Sequence, residues 1–187
     1  MYRGIKRAAD VVVSLTLLLL FSPVLFVIAW LIRWDSPGGS LFKQRRIGRH
    51  GKPFRIYKFR TMYVNAPPNA AAAERETTIP YITPLGRILR RSSLDELPQL
   101  FNVLKGEMSI VGPRPVVSAE RELLRLRRQN GVLHVRPGIT GLAQVRGRED
   151  LTPAERAHYD TQYVRQMSLW LDVRILMMTW RCLFRGR

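Results

Sequence analysis

The stretch VVVSLTLLLLFSPVLFVIAWLI, residues 11–32, decides how this chain folds, because it holds 22 consecutive residues without a charge. As one straight helix it would be about 33 Å long, which is enough to cross the hydrocarbon core of a bilayer. A cleaved signal peptide fits less well, since the apolar run is too long and no small-x-small cleavage site follows it. Trp30, Arg33 and Trp34 are instead typical of an anchor at the membrane interface.

Cationic residues flank this stretch on both sides. They are Arg3, Lys6 and Arg7 before it and Lys43, Arg45, Arg46, Arg49 and Lys52 after it. Both flanks therefore belong on the cytoplasmic side. Pro23, at the midpoint, lacks a backbone donor and clashes with the carbonyl of Leu19, while Ser22 can bond to a freed carbonyl. The sequence predicts a re-entrant hairpin over residues 1–35, with two arms of about 16 Å each. An ordinary proline-kinked span is the alternative.

Length and charge limit the rest of the chain. With 187 residues it forms one domain. Lys and Arg number 31 against 14 Asp and Glu, so the net charge is +17 and the pI is near 11.3. Such a charge requires an anionic partner, which could be nucleic acid, anionic lipid or a phosphorylated substrate. Cys182 is the single cysteine, which excludes an internal disulfide and favours a reducing, cytoplasm-facing compartment.

A basic segment follows the apolar stretch, with no acidic residue between Asp35 and Glu74. Its cations are Lys43, Arg45, Arg46, Arg49, Lys52, Arg55, Lys58 and Arg60. We expect this segment to face phosphates. FRIYKF, residues 54–59, predicts short strands, while Pro67-Pro68 and the alanine run 70–73 predict a surface loop.

Three later segments have helical patterns. AERELLRLRRQN, residues 119–130, predicts a helix that ends at Gly131, with its charges on a solvated face. Thr152 and Pro153 predict the N-cap and first turn of another helix. Residues 169–184 predict an amphipathic helix that is either interfacial or part of the core. The expected fold class is therefore α+β, mostly helical with short β elements.

One acidic pair, Asp95-Glu96, stands out among the cations. The three histidines are scattered, so neither a zinc site nor a nucleophile–histidine pair is indicated. In RRSSLDELPQL, residues 90–100, the preceding serines and Pro98 predict a helix start, where a carboxylate faces the positive end of the helix dipole. Ser93 and Glu96 also satisfy the capping-box pattern, so ordinary capping is the simpler interpretation of the pair.

The cations around this pair favour chemistry over capping. They are Arg87, Arg90, Arg91, the KFR of residues 58–60, and Arg114 between two prolines. Arginine binds phosphate oxygens with a planar fork, and flanking prolines fix its approach. Gly112, Gly138 and Gly141 would allow a ligand close to the backbone, although each could be a turn glycine. A carboxylate among cations indicates phosphoryl chemistry, with the carboxylate as nucleophile or as ligand of a divalent metal.

Several ordered motifs together resemble the bacterial sugar transferase family, the small monotopic phosphoglycosyl transferases. The motifs are KRAAD (6–10), the Ser22-Pro23 break, FKQRRIGRHGKPFRIYKFRTM (42–62), ITPLGRILRRSSLDELPQLFNVLKGEMSIVGPRP (82–115) and RPGITGLAQVRGR (136–148). The resemblance runs from about Lys6 to Thr179. It implies a monotopic protein with a re-entrant membrane helix and interfacial amphipathic helices, whose residues 36–187 form a cytoplasmic catalytic domain packed on the membrane.

The same resemblance implies a reaction and a place in the cell. A sugar 1-phosphate passes from a UDP-sugar to polyprenol (undecaprenol) phosphate and gives polyprenyl-diphospho-sugar and UMP. This is the first membrane step of polysaccharide or glycoprotein synthesis, at the cytoplasmic face of the bacterial inner membrane. The expected partners are the UDP-sugar, polyprenol phosphate and membrane lipids, without nucleic acid, and a homodimer is left open.

Residue roles follow from the matched motifs. Asp95 matches the nucleophile that forms a covalent aspartyl intermediate, and Glu96 assists in proton handling or metal binding. Both carboxylates are expected to bind Mg²⁺. Arg114 matches a phosphate-binding position, and the further candidates for a donor or lipid phosphate are Lys58, Arg60, Arg90 and Arg136. Lys6, Arg7 and Asp10 are expected to anchor the re-entrant helix at the interface, with Lys6 and Asp10 as an i,i+4 ion pair.

A second class of function is a membrane-anchored basic adaptor that binds nucleic acid or anionic lipid. It explains the +17 charge but gives no role to the acidic pair. Nucleic-acid binding would need aromatic rings as stacking platforms between the cations, and Phe54, Tyr57 and Phe59 are the candidates in the basic segment.

Overall fold

A computed structural model describes residues 2–67, 81–147 and 150–184, without the side chains of 183 and 184. Helix α1 (Tyr2–Leu20) and helix α2 (Ser22–Asp35) meet at a bend of 63°. The surface loop predicted around Pro67-Pro68 and 70–73 lies, from residue 68 onward, outside the described residues.

The predicted break at Ser22-Pro23 is confirmed. Pro23 is in the first turn of α2, and the Ser22 hydroxyl donates to the carbonyl of Leu19 at 2.8 Å. Both arms are longer than predicted, because α1 extends back to Tyr2 and α2 forward to Asp35. In the part of the chain that the structure describes, no single helix is both long and apolar enough to cross a membrane, whereas α1 and α2 together meet that criterion as a bent pair.

The basic segment forms a two-stranded ribbon, which confirms the strand predicted within residues 54–59. Strands β1 (Leu41–Ile47) and β2 (Pro53–Phe59) are antiparallel and are joined by a 3-10 turn, Arg49–Gly51. The side chain of Asn102 binds the free edge of β2, since its Oδ1 accepts from the N–H of Tyr57 at 3.0 Å and its Nδ2 donates to the carbonyl of Arg55 at 2.7 Å. These bonds fix the ribbon to the following helices.

Helices and two short parallel strands complete the body. They are α3 (Pro84–Ser92), α4 (Gln99–Leu104), β3 (Ser109–Val111), α5 (Arg121–Gln129), β4 (Gly138–Thr140), α6 (Leu142–Arg146), α7 (Pro153–Gln166) and α8 (Leu169–Phe184). The predicted signals at two of them are confirmed, since Gly131 has φ +70° just after α5 and Thr152 forms a capping box with Glu155 at α7. The chain is mostly helical with small sheets, as expected.

Two apolar clusters position the helices. Val111, Leu142, Tyr163 and Ile175 pack β3, α6, α7 and α8 together. A second cluster packs α2 against β2 and α3; its members are Ile28, Ile32, Phe59 and Leu89. The predicted membrane segment, residues 1–35, and the predicted catalytic domain, residues 36–187, therefore share a core, because α2 contributes directly to it.

Helix α8 has two different apolar faces, and one of them confirms the prediction that this helix is part of the core. Ile175 is fully buried in the core. The opposite side carries large exposed apolar side chains: Trp170, Val173, Met177 and Trp180.

The polar residues of α1 bind the protein body. Lys6 donates to Asp172 of α8 at 2.8 Å, and it also forms the predicted i,i+4 ion pair with Asp10, at 4.0 Å. Asp10 accepts from the N–H of Ile110 at 3.1 Å. Arg7 donates to the last carbonyls of α4, those of Val103 and Leu104. The tyrosines Tyr2 and Tyr163 also donate to Asp172.

The glycines Gly112, Gly138 and Gly141 allow backbone to pack closely against backbone. A Cβ on Gly112 would lie 2.7 Å from the carbonyl oxygen of Arg136, and one on Gly138 or Gly141 would collide with the backbone of Gly112. Each glycine allows the end of β3 to approach β4.

Candidate active site

Asp95 and Glu96 lie in a 3-10 turn, Leu94–Glu96, between α3 and α4. The expected capping box is wrong, because no side chain caps this turn and Ser93 itself is left-handed, with φ +57°. Helix α4 begins only at Gln99. The acidic pair therefore precedes the helix, and its carboxylates are available to other partners.

Two cations hold the Glu96 carboxylate. Its Oε1 accepts from Lys58 Nζ at 2.7 Å and from Arg114 Nη2 at 2.9 Å. Lys58 comes from β2 and Arg114 from the loop after β3, so this acid joins three separate parts of the chain. Burial would raise the pKa of Glu96, but the charges of Arg114 and Lys58 and their hydrogen bonds outweigh it and hold that pKa well below its usual range. Glu96 is therefore ionised at neutral pH.

Asp95 has a contrasting environment one residue away. It is 8% exposed, and within the described residues no hydrogen bond reaches its carboxylate. Burial raises its pKa above the usual value of 3.8, in part offset by the charges of Lys58, Arg90 and Arg114 and reinforced by that of Glu96. A buried carboxylate that is attracted by cations without being bonded to them keeps its lone pairs for a reaction.

The loop that carries Arg114 is held from two sides. Arg127 of α5 donates to the carbonyl of Arg114 at 2.8 Å and binds Asp160 of α7 at 2.6 and 2.9 Å. From the ribbon, Arg46 donates to the carbonyl of Pro115 at 3.3 Å. The Arg114 side chain is 43% exposed, so it is directed by a fixed backbone while remaining accessible to a ligand.

Sequence reasoning missed three of these supporting residues. In the sequence, Arg46 is one of many cations in the basic segment. Its alternation with Gln44 could have distinguished it from the others, because residues two apart in a strand lie on the same face. In the structure, Gln44 accepts from the Arg46 guanidinium at 2.7 Å. Burial, followed by repulsion from Arg114, lowers the pKa of Arg46 to about 10. Arg127 was expected on a solvated face but is 4% exposed, and its partner Asp160 is 1% exposed.

Of the further phosphate candidates, Lys58 and Arg90 lie at the acidic pair. Arg90 donates to the hydroxyl of Thr61 at 3.0 Å, and its charge acts on Asp95. With Arg114, these residues surround Asp95 with three cations from three elements.

Arg60 and Arg136 lie elsewhere, and neither charge is among those acting on Asp95. The buried Arg60 guanidinium donates to the carbonyls of Ile32 and Ser36, at 3.2 and 2.6 Å, and to that of Pro37. It therefore binds the C-terminal end of α2. Arg136 donates to the carbonyl of Gly106 at 2.8 Å.

A divalent cation could be held by the acidic pair with help from a substrate. Among the described residues there is no cluster of three or more His, Cys, Asp or Glu side chains with metal-binding geometry. Asp95 and the second oxygen of Glu96 nevertheless offer two carboxylate positions that accept no hydrogen bond from the described chain. Mg²⁺ is commonly bound by one or two carboxylates plus substrate phosphates and water, so the pair fits this ion.

Comparison with known proteins gives consistent similarities. The profile of the family described as bacterial sugar transferase matches residues 1–186. The UDP-glucose:undecaprenyl-phosphate glucose-1-phosphate transferase of Escherichia coli K12 is 42% identical over 191 residues, which cover 98% of this chain and 40% of that protein. The undecaprenyl-phosphate galactose phosphotransferase of Salmonella typhimurium LT2 is 41% identical over 200 residues, covering 98% of this chain and 41% of that protein.

A shorter relative matches along most of its length. The exopolysaccharide production protein ExoY of Rhizobium meliloti 1021 is 42% identical over 197 residues, which cover 97% of this chain and 87% of that protein. This chain thus spans about two fifths of the two longer relatives and most of the shorter one.

Proposed function

This chain belongs to the bacterial sugar transferase family, and from that premise we propose that it transfers a sugar 1-phosphate from a UDP-sugar to polyprenol phosphate. The products are polyprenyl-diphospho-sugar and UMP. The observation that carries the proposal is the Asp95 carboxylate, which is buried, free of hydrogen bonds from the described chain and surrounded by Lys58, Arg90 and Arg114. The names of the relatives, which specify undecaprenyl phosphate with glucose or galactose, support this substrate class.

The reaction proceeds in two displacements at one phosphorus. A carboxylate oxygen of Asp95 attacks the donor phosphorus that carries the sugar, and the bond to UMP breaks with its electron pair on UMP. A phosphate oxygen of polyprenol phosphate then attacks the same phosphorus, and the bond to Asp95 breaks. Asp95 begins and ends the cycle as a carboxylate, so neither step needs a proton at this residue.

The cations provide most of the electrostatic stabilisation that the Asp95 carboxylate needs to approach a diphosphate. Arg114 is accessible, and together with Lys58 and Arg90 it offsets the charge of the donor and of departing UMP. Glu96 binds Lys58 and Arg114 through one oxygen and orients both. Because its pKa is held low, Glu96 acts as an orienting anion rather than as a proton carrier.

The proposed reaction uses Mg²⁺. Asp95 and the second oxygen of Glu96 would hold it together with phosphate oxygens of the donor. When bound, the ion neutralises diphosphate charge.

The membrane placement rests on exposed apolar surface. On α1 and α2 it comprises Val12, Leu15, Leu19, Leu20, Phe26, Val27, Trp30 and Trp34, and α8 adds its exposed face. The bent pair would enter and leave the bilayer from the cytoplasmic face of the inner membrane, with Trp30 and Trp34 at the interface.

This topology is tested with Gly4→Cys and Ser40→Cys, each in a Cys182→Ser background, labelled in sealed vesicles with an impermeant reagent. We expect both positions to label from the same side. Labelling from opposite sides would refute the hairpin and leave a kinked span.

The reaction is tested by measuring UMP release from a panel of UDP-sugars by the purified protein with Mg²⁺. Without lipid we expect about one UMP per protein molecule, because the covalent intermediate accumulates. Polyprenol phosphate should convert this burst into multiple turnovers. If UMP is released from no donor under either condition, the proposed reaction is wrong.

A further inference from the structure

The outward face of the β1–β2 ribbon is cationic on both strands. We define the outer ribbon face by Lys43 and Arg45 of β1 and by Arg55 and Tyr57 of β2. The three cations are exposed, whereas Gln44, on the opposite face, is partly buried. In the antiparallel register Arg45 is directly opposite Arg55, and Lys43 is directly opposite Tyr57.

A directly opposed pair of arginines is unfavourable unless an anion lies between or above them. Within the described residues neither Arg45 nor Arg55 has an acidic partner at ion-pair distance. The surrounding sequence offers none either, since residues 36–73 contain no Asp or Glu. The fold therefore maintains a repulsive pair on a rigid scaffold, which points to an anionic surface outside the chain.

The contacts of the ribbon place it beside the outer ends of the bent pair. At one end, Arg60 follows β2 directly and binds the last carbonyls of α2. Along its edge, β2 is bound by Asn102 of α4, and the last carbonyls of α4 are bound by Arg7 of α1. The ribbon is thus tied to the two ends of α1 and α2 that lie away from the bend. In the proposed topology, these ends lie at the membrane surface.

We propose that the outer ribbon face binds the headgroups of anionic phospholipids in the bilayer that holds α1 and α2. The inference rests on the proposed membrane placement but not on the proposed reaction. Basic residues close to an anionic membrane surface each contribute to binding, and Arg45 and Arg55 provide two such charges at a fixed spacing.

The aromatic residues of the ribbon favour lipid over nucleic acid. Phe59 is only 4% exposed and belongs to the core, and Phe54 is on the inner face with Ile56. The Tyr57 ring has the ammonium groups of Lys105 and Lys43 at 4.6 and 5.9 Å from its centre. The ribbon therefore offers exposed cations, whereas its aromatic residues, Phe42 of β1 included, are all buried or partly buried, which disfavours stacking of bases on them.

The test counts lipids bound to the full chain. The protein in detergent micelles is titrated with phosphatidylglycerol or phosphatidylcholine, and bound lipids are counted by native mass spectrometry. The wild type should bind phosphatidylglycerol more tightly than phosphatidylcholine. In the Arg45→Gln/Arg55→Gln variant, affinity for phosphatidylglycerol should fall by about fivefold for each charge removed, with phosphatidylcholine binding unchanged.

A matched control removes the same charge elsewhere. Arg125→Gln/Arg128→Gln changes two exposed arginines on α5 and should retain the preference for phosphatidylglycerol. An equal loss in both variants would overturn the proposal, because net charge alone would then explain the preference. The proposal would also be overturned if the ribbon variant kept its lipid preference but lost binding of a single-stranded DNA oligonucleotide.

UMP release from the same preparations separates this proposal from the proposed reaction. The ribbon variant should release UMP at the wild-type rate in phosphatidylcholine with saturating substrates. If the wild type releases UMP but shows no preference for phosphatidylglycerol, the lipid site alone is refuted. If the lipid preference depends on the ribbon but UMP is released from no donor, the reaction alone is refuted.

Discussion

Two buried carboxylates near arginines in this molecule differ in their hydrogen bonding. Asp160 receives two hydrogen bonds from Arg127, at 2.6 and 2.9 Å, and both residues are buried. Asp95 is also buried, yet no hydrogen bond from the described chain reaches it. The first cluster satisfies its acid and so maintains geometry, whereas the second leaves its acid under-satisfied. The comparison supports a structural role for Asp160 and the proposed catalytic role for Asp95.

Arg114 connects the two clusters. Its side chain belongs to the site around Asp95 and Glu96, and its backbone carbonyl is bound by Arg127. Substitutions around Asp95 and Glu96 should therefore reduce activity more than stability, while substitutions at Arg127 or Asp160 should reduce stability first and activity through Arg114.

The largest effect should come from Asp95→Asn. UMP release should fall by at least about 1,000-fold, because the nucleophile is lost. The melting temperature should stay the same or rise, since burial disfavours the charge that the substitution removes. Activity and thermal unfolding are measured on the same purified sample. An active variant would refute the nucleophile assignment.

Asp160→Asn should instead destabilise the protein. It leaves the Arg127 guanidinium buried without its counter-ion, which should cost about 3 kcal/mol. At this chain length, that is about 6–12 °C in melting temperature. The variant Arg127→Met/Asp160→Leu should recover much of the stability but not full activity, because the bond from Arg127 to the Arg114 carbonyl is lost. Full activity in this double variant would show that Arg127 does not position Arg114.

Glu96→Gln should have an intermediate effect on activity. An amide oxygen still accepts a hydrogen bond, but it no longer balances the charges of Lys58 and Arg114, so we expect UMP release to fall about 10- to 100-fold. Stability should also fall, because the pair with Lys58 is mostly buried, but by less than in Asp160→Asn, because the pair with Arg114 is partly exposed. Glu122→Gln on the exposed side of α5 is the control. A greater loss of stability than of activity would make Glu96 a structural residue.

The smallest effect should be a shift in pH dependence. Asp95 must be ionised to attack, and its pKa is raised, so single-turnover UMP release should fall off at a higher pH than 3.8 as the pH is lowered. The charge of Arg90 lowers this pKa, so Arg90→Gln should move the acid limb to still higher pH. A shift to lower pH would contradict this view of Asp95.

The sequence allowed prediction of features that depend on neighbouring residues. The break at Pro23, the strand within residues 54–59 and the N-cap at Thr152 all follow from local backbone chemistry. The acidic pair was also singled out, because acids are scarce in so basic a chain.

What the sequence did not reveal depends on distant partners. Lys6 forms the predicted pair with Asp10 at 4.0 Å, but its shorter bond, at 2.8 Å, joins it to Asp172, which is 166 residues distant. Arg127 lies in a helix rich in charges, and only the packing of α5 on α7 buries it beside Asp160. Local spacing predicts the i,i+4 pair but not the bond to Asp172, and tertiary packing overrides the solvated face predicted for Arg127.

The bonds from Tyr2 and Lys6 to Asp172 also have a consequence for biosynthesis. At about 5–20 residues per second, the ribosome completes Asp172 about 8–33 s after Lys6. During that interval Tyr2 and Lys6 lack Asp172, whatever lipid or chaperone surrounds the nascent helix. A chain released before residue 172 would keep the contacts of Arg7 and Asp10 with residues 103–110 but would lack the bonds that join α1 to α8.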